Sequence, residues 1–220
     1  MKGYESQKLY WEERRERRTP EHPIIQAFVE PKVNCIRRII SDIEEKKKLS
    51  LLDIGCGNGF FTYYFERIYD TISLDFSMFM LKNNHCNNRI CGSATKLPFR
   101  NNSFDITFCS NLLHHLDEHE KCILEMKRVS RKYVILSEPN RNNPLMFLFG
   151  LLKAHEKGTL KFSLRYMKKL VHGAALKVLY ATSTGTILPN KTPILLLPLL
   201  KKIDGEFPCA FYNVIISEKI

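Results

Sequence analysis

The 220-residue chain reads as an α/β protein: a seven-stranded, mostly parallel sheet with one antiparallel edge strand and helices on both faces. Three observations predict this. From residue 49 to 138 short apolar runs alternate with helical patterns, and such alternation builds a parallel sheet covered on both sides. The first of these runs leads into three closely spaced glycines and then a helix, as happens at the ligand edge of such a sheet. Two strand-like runs near the C-terminus, parted by a stretch rich in Pro and Leu, fit an antiparallel pair at one sheet edge.

The elements follow in order. Residues 4–18 look helical and very polar, with Tyr4, Leu9, Tyr10 and Trp11 as the apolar contribution. Thr19-Pro20-Glu21-His22-Pro23 breaks that helix. Pro31 suits the start of the next, in which Val33, Ile36, Ile40 and Ile43 recur at helical spacing. Lys46, Lys47 and Lys48 then meet the negative pole of its dipole. Strands are expected at 51–54, 71–74, 89–91, 104–109 and 133–137. Helices are expected at 60–69, from a Ser77 cap to Asn83, and at 118–129. A further helix covers 162–171, and the last two strands are 177–182 and 211–217. Right-handed crossovers bring the C-terminal ends of the parallel strands to one edge, where ligands bind.

Composition narrows the class. Hydrophobic residues make up 44% and charged residues 26%, the balance of a soluble globular chain. Arg14, Arg15, Arg17 and Arg18 stand where a secretory leader needs an apolar core, so none is expected. The apolar runs 145–152 and 194–200 fall far short of the ~20 residues that span a bilayer. The seven cysteines include no CxxC pair and read as reduced thiols of a cytoplasmic protein. Cys86, Cys91 and His85 lack the paired spacing of a zinc site, so no metal is expected. The net charge of +11 favours an anionic partner such as RNA, a membrane surface or a phosphorylated molecule; a basic soluble surface explains it equally well.

The chemistry begins at Asp53-Ile54-Gly55-Cys56-Gly57-Asn58-Gly59. Glycines let a ligand approach the main chain, and here the third comes one residue too early for a dinucleotide loop. Asp75, at the end of the second strand, suits the two hydroxyls of a ribose; the competing reading is a helix cap. Then come Leu97-Pro98-Phe99-Arg100-Asn101-Asn102-Ser103-Phe104-Asp105-Ile106, Ser110-Asn111-Leu112-Leu113-His114-His115-Leu116 and Glu125-Met126-Lys127-Arg128-Val129. In this order and spacing, the strings resemble the class I S-adenosylmethionine-dependent methyltransferases with their Rossmann-like fold. The similarity is greatest to the branch that includes quinone, small-molecule and lipid methyltransferases, and it covers residues 50–138 well.

That resemblance implies S-adenosyl-L-methionine as cofactor and assigns roles by position. Gly55, Cys56 and Gly57 would lie against its methionine part, with Asp53 supporting the ammonium. Asp75 would hold the ribose, Phe76 cover the adenine, and Ser93 and Ala94 touch the adenine edge. Ser110 and Asn111 would contact the region of the sulfonium. Ser93 departs from the acidic residue common in the family, which removes a charge from that contact. The family's Pro-Gly-Gly turn before the fifth strand is also missing. On this reading one domain spans 1–220: an N-terminal cap (1–48), a cofactor core (49–138) and an acceptor side (139–220). Tyr4, Tyr10, Trp11 and an arginine, Arg14 or Arg15, are candidates for a lid.

The base candidates for methyl transfer are His115, His114 and Glu138, all on the ligand edge, although His-His-Leu can also simply pack and cap. The acceptor is expected to be a small or lipid-linked molecule, with Arg141 available to an anionic group. Ordinary core helices explain the runs 145–152 and 194–200; a greasy acceptor pocket or membrane contact is the alternative. Two other functions compete. RNA methylation is motivated by the charge, but no Asn-Pro-Pro-aromatic string follows the fourth strand. A cofactor-binding protein without catalysis is left open by Ser93.

Overall fold

The computed structural model describes residues 18–41 and 48–220. Tyr4, Leu9, Tyr10, Trp11, Arg14 and Arg15, and with them the proposed lid, lie outside the described residues, as do Ile43, Lys46 and Lys47.

Seven strands form one sheet: β1 (Ser50–Ile54), β2 (Asp70–Asp75), β3 (Arg89–Cys91), β4 (Phe104–Ser110), β5 (Ser130–Pro139), β6 (Leu176–Thr184) and β7 (Tyr212–Lys219). Their spatial order is β3-β2-β1-β4-β5-β7-β6. The first five run parallel. β7 runs antiparallel to both of its neighbours, β5 and β6. The antiparallel pair thus sits at the expected edge, with the reversed strand one place in and β6 outermost. Strand order reverses between β1 and β4, so a crevice opens beyond their carboxyl ends. The central strands are apolar on both faces because both are covered: Leu51, Leu52, Ile54, Ile106, Phe108, Val134 and Ile135 are fully buried.

One face is covered by α1 (Pro23–Ser41) and an aromatic cluster. Phe61, Phe65 and Phe108 meet there with ring centroids 4.9 Å apart from Phe108 to each of the others. The helix begins at Pro23, not at Pro31 as expected. Pro23 supplies a preset first-turn geometry, and the His22 ring accepts from the Ile24 amide at 3.1 Å. Ile24, Ile25, Phe28 and Val29 extend the buried stripe of Val33, Ile36 and Ile40 by two turns, and their burial outweighs the proline left inside the helix. The expected helix at 60–69 shortens to α2 (Thr62–Phe65), although bonds from Tyr63 to Gly59 and Tyr69 to Phe65 continue its path.

The other face carries α4 (His119–Val129) and α6 (Leu164–Gly173), which bury Cys122, Met126, Met167 and Val171. Ser163 caps α6 through the Tyr166 amide. The cap expected at Ser77 forms as well, on α3 (Met78–Lys82) through the Met80 amide.

The two apolar runs are not core helices. In α5 (Pro144–Leu152) Met146 and Gly150 are buried, whereas Leu145, Phe147, Leu148, Leu151 and Leu152 are exposed. Ile194, Leu195, Leu196 and Leu199, in a 3-10 turn leading into α7 (Leu197–Ile203), are exposed too. No helix of the described residues is long and apolar enough to cross a membrane.

Lys32 is buried in α1. Its Nζ donates to the Phe28 carbonyl at 2.8 Å and lies 3.9 Å from the Phe28 ring and 4.8 Å from the Tyr212 ring. Burial pushes its pKa down to about 7, against an upward pull from Asp204. Because the folded pKa lies below the unfolded one, the burial penalty is full below about pH 7 and fades as pH rises towards 10.5. Lys32→Met is therefore expected to raise the melting temperature most near pH 6 and least near pH 10, on the order of those limits. A gain that does not shrink with rising pH, in thermal melts across this range, would contradict a buried ammonium.

Candidate active site

The site begins where β1 ends. Gly55 and Gly57 adopt φ of 69° and 55°, a region that side-chain-bearing residues rarely enter. A Cβ at Gly55 would lie 2.8 Å from Leu112, and one at Gly57 2.9 Å from the end of Met80. The loop is tied to β2 from both sides: the amides of Gly55 and Cys56 donate to the Leu74 carbonyl, and that of Gly57 donates to Asp75 Oδ2 at 2.9 Å. Asp75 Oδ1 also accepts from the Ser77 amide. Asp75 thus joins the loop to the start of α3, while the cap itself is Ser77. Asn84, buried and not singled out from the sequence, braces the loop through Cys56 Sγ and the Gly57 carbonyl.

Asp53 is buried beneath the loop and accepts from Thr62 Oγ1 at 2.6 Å. Burial raises its pKa to about 7; the Thr62 bond works against this and the Asp75 charge adds to it. Two carboxylates in a poorly solvated corner favour a positively charged ligand group.

All ten residues expected to hold the cofactor line one cavity of about 630 Å³: Asp53, Gly55, Cys56, Gly57, Asp75, Phe76, Ser93, Ala94, Ser110 and Asn111. Ser93 is exposed, and its hydroxyl lies 3.1 Å from that of Thr95. Asn111 turns the chain out of β4 with φ of 52°. The same cavity also has apolar lining, from Phe28, Leu112, Leu116, Leu145, Met146, Phe149, Leu188 and Tyr212. Leu145, Met146 and Phe149 belong to the run 145–152, for which an acceptor pocket was the alternative reading; Phe28, Leu188 and Tyr212 were not singled out, because they come from α1, a loop and β7 that only the fold assembles. Arg141 is exposed and is not among the lining residues.

The three base candidates are placed differently from one another. Glu138, fully buried at the end of β5, does not line the cavity. Its Oε1 accepts from the amides of Leu112 and Leu113, and its Oε2 meets His114 Nδ1 at 2.5 Å. Its carboxylate is thus engaged by the turn after β4 and does not face the cavity. His114 lines the cavity between two carboxylates, with Nε2 3.3 Å from Glu156 Oε2. Burial pushes its pKa down, but Glu138 and Glu156 outweigh this and raise it to about 9. It is then protonated at neutral pH and has no lone pair to receive a proton. Burial and the adjacent His114 charge push His115 down to about 3, which leaves it neutral but a weak base.

Glu156, missed by the sequence reading, sits in a 3-10 segment (Ala154–Lys161) laid on the turn Leu113–His115. Gly158 makes that contact feasible: a Cβ there would stand 1.7 Å from the His114 carbonyl oxygen. Among the described residues, His114, His115 and Glu156 are the one group of metal-ligand side chains within reach of a common ion; Cys86, Cys91 and His85 are not part of it.

The glycine loop, the acidic corner and the cavity at the switch point define a Rossmann-like protein built around a nucleoside-containing ligand. Residues 52–136 match a family model described as a methyltransferase domain. An uncharacterized protein of Methanocaldococcus jannaschii is 37% identical over 95 residues, 43% of this chain and 41% of that protein. The demethylmenaquinone methyltransferase of Renibacterium salmoninarum is 37% identical over 86 residues, 37% of this chain and 36% of that protein. The chain therefore spans about two-fifths of the length of the curated relatives it matches. The crystal structure of the magnesium protoporphyrin IX methyltransferase of Synechocystis with bound SAH shares the fold, with a TM-score of 0.60 at 12% identity, over 86% of this chain and 82% of that one. Residues 52–136 thus resemble a methyltransferase domain, and the chain shares the fold of S-adenosylmethionine-dependent methyltransferases.

Gly158→Ala is expected to prise the 3-10 segment from the His114 turn and to lower unfolding free energy by about 1–3 kcal/mol. Gly173→Ala, where nothing lies within 4 Å of the added methyl, is the control and should be near neutral. Equal urea midpoints for the two variants would argue against this close contact.

Proposed function

We propose that the protein transfers the methyl group of S-adenosylmethionine to an apolar, lipid-like acceptor. The carrying observation is that one cavity is lined both by the glycine loop with Asp53 and Asp75 and by apolar side chains such as Leu116, Leu145, Met146 and Phe149. The glycine loop and its carboxylates fit the cofactor. Asp53 would meet its ammonium, the backbone from Gly55 to Gly57 its methionine part, and Asp75 its ribose hydroxyls. Phe76 would cover the adenine, Ser93 and Ala94 would take its edge, and Ser110 and Asn111 would face the region of the sulfonium. The apolar lining fits the acceptor, and it includes Leu145, one of the exposed leucines of α5.

The bound cofactor supplies a methyl group already activated by the sulfonium: the carbon–sulfur bond breaks as the acceptor attacks, and the sulfur keeps the electron pair. The chain's own contribution is alignment and exclusion of water. The apolar walls Leu112, Met146 and Phe149 suit a transfer in which opposite charges vanish. Neither histidine is poised to take a proton, which favours an acceptor atom that attacks without a strong base.

The exposed apolar residues of α5 and α7 carry lysines beside them, at 153, 157, 161, 201 and 202, all exposed. Lys191 lies 3.8 Å from the Phe149 ring at the cavity wall. An apolar surface flanked by lysines suits the face of an anionic membrane, from which a lipid-like acceptor could enter the cavity.

Two outcomes test this. Labelled methyl from S-adenosylmethionine, offered to total cell extract, should appear in the organic phase; label confined to nuclease-sensitive RNA would replace the proposal with RNA methylation. Asp53 gives a second measurement. Its raised pKa means that a proton must leave before a carboxylate can meet the cofactor's ammonium, so affinity for the demethylated cofactor should rise with pH through about 7 and level off above it. Asp53→Asn should weaken binding by roughly tenfold to a hundredfold and flatten that dependence in calorimetry. An unchanged affinity would remove Asp53 from the cofactor site.

A further inference from the structure

We infer that His114, His115 and Glu156 form a binding site for a divalent transition metal of the zinc class in the same cavity, with Glu138 as its positioning residue. The ligand atoms of the three side chains lie within 4.8 Å of one another. Movements on the order of an ångström bring two imidazole nitrogens and a carboxylate oxygen into the ~2.0–2.2 Å shell that zinc requires. Two nitrogens and one oxygen are the donor set of open zinc and related sites, which leave positions for a further ligand. Those positions face space shared with Ser110, Asn111 and Met146, since all three metal-ligand residues line the cavity.

The surroundings of His114 match what a metal-binding imidazole needs. Its Nδ1 is engaged by Glu138 at 2.5 Å, which directs Nε2 towards Glu156. A carboxylate behind the ring fixes its orientation and raises the basicity of the nitrogen that binds the ion. Glu138 is itself fixed by the amides of Leu112 and Leu113. The His155 backbone hydrogen-bonds the His115 ring, which fixes the second imidazole. Glu156 is equally constrained: Thr159 Oγ1 donates to its carbonyl at 2.7 Å, and Gly158 lets its segment close onto the His114 backbone. Every candidate ligand therefore stands on a supported element.

Charge points the same way. Glu138 and Glu156 bring two buried carboxylates to one imidazole, and a single imidazolium neutralises only one of the two negative charges. A dication neutralises both, and buried charge of one sign is costly when left uncompensated. The lysines close to Glu156 in sequence, Lys153 and Lys157, are exposed.

The consequence for function rests on the methyl transfer proposed above: an acceptor bearing an oxygen or sulfur donor would be held at this ion, within the cavity that Asp53 and Asp75 also line. Metal binding itself does not depend on that reading and is tested without turnover. Tag-free protein, stripped with a chelator and dialysed, is titrated with Co²⁺ while its visible d–d absorption is followed, and with Zn²⁺ in competition. The expected result is one saturating Co²⁺ band per chain of a nitrogen–oxygen site, without thiolate charge transfer. Glu156→Gln and His115→Ala should each weaken Co²⁺ at least tenfold, and Glu138→Gln should weaken it roughly tenfold to a hundredfold. Calorimetry with the demethylated cofactor on the same samples reports folding and the cofactor site separately: Glu156→Gln is expected to leave that affinity unchanged. Absence of the band in protein that binds the demethylated cofactor would overturn the metal site and leave the methyltransferase reading standing. A band that persists unchanged in Glu156→Gln and His115→Ala would assign the ion to other residues and equally overturn the proposal.

Discussion

The buried carboxylate of Glu138 is the point on which the ligand edge turns. It lies one residue beyond the last β4–β5 pair, Ser110 with Ser137, where β4 has ended and its chain must leave the sheet. The Asn111 amide still donates to the Ser137 carbonyl, but the next two amides have no strand carbonyl to meet. Glu138 provides the acceptor instead, taking hydrogen bonds from Leu112 and Leu113 and binding the His114 ring. A carboxylate taken fully out of water is tolerated when its lone pairs are filled by donors and a positive charge stands beside it. Removing it would strand two amides and a buried imidazolium together, a loss well beyond that of one hydrogen bond. Because Leu112 also abuts Gly55, the same carboxylate sets one wall of the glycine loop.

The two parts of the cavity lining are held by different physics. Around Asp53 and Asp75, backbone geometry and hydrogen bonds dominate: Gly57 bonds to Asp75, Gly55 and Cys56 to Leu74, Thr62 to Asp53. These are short, directional contacts between neighbouring strands. The apolar lining, from Leu145, Met146, Phe149 and Leu188, offers side chains with no strong hydrogen-bonding groups. Such a wall can be reshaped by substitution without disturbing the sheet, and this is how one fold serves many acceptors. His114, His115 and Glu156 line the same cavity and add a polar cluster to it.

This division explains what could be read from the sequence. Strands β1, β2, β4 and β5 were legible because their buried centres leave short apolar stretches, whereas β3, an edge strand with Arg89 and Cys91 exposed, was legible only from its place in the alternation. The glycine loop and Asp75 were legible because their function is carried by residues close in sequence to strand ends. The start of α1 was not, since Pro31 is a strong local signal for a helix start and only the packing of Ile24, Ile25 and Phe28 on the sheet overrules it. Glu156 was not legible either. It lies in a polar segment without periodicity and reaches His114 only because Gly158 permits a backbone approach that no local pattern announces.

The runs 145–152 and 194–200 show the limit from the other side. An unbroken apolar helix is the ordinary mark of burial, yet in α5 only Met146 and Gly150 are covered. Gly150 explains how the helix docks: a Cβ there would stand 2.4 Å from Thr159 Oγ1, so the contact is a narrow seam of small groups and not a broad apolar face. The remaining leucines are left outward, beside the mouth of the cavity that Leu145 and Phe149 line. Leaving this much apolar surface in water is unfavourable unless something covers it. On the function proposed above, exposed Leu152 and Leu195, at 71% and 85% exposure, would give the chain a foothold on an apolar phase from which the acceptor reaches the cavity.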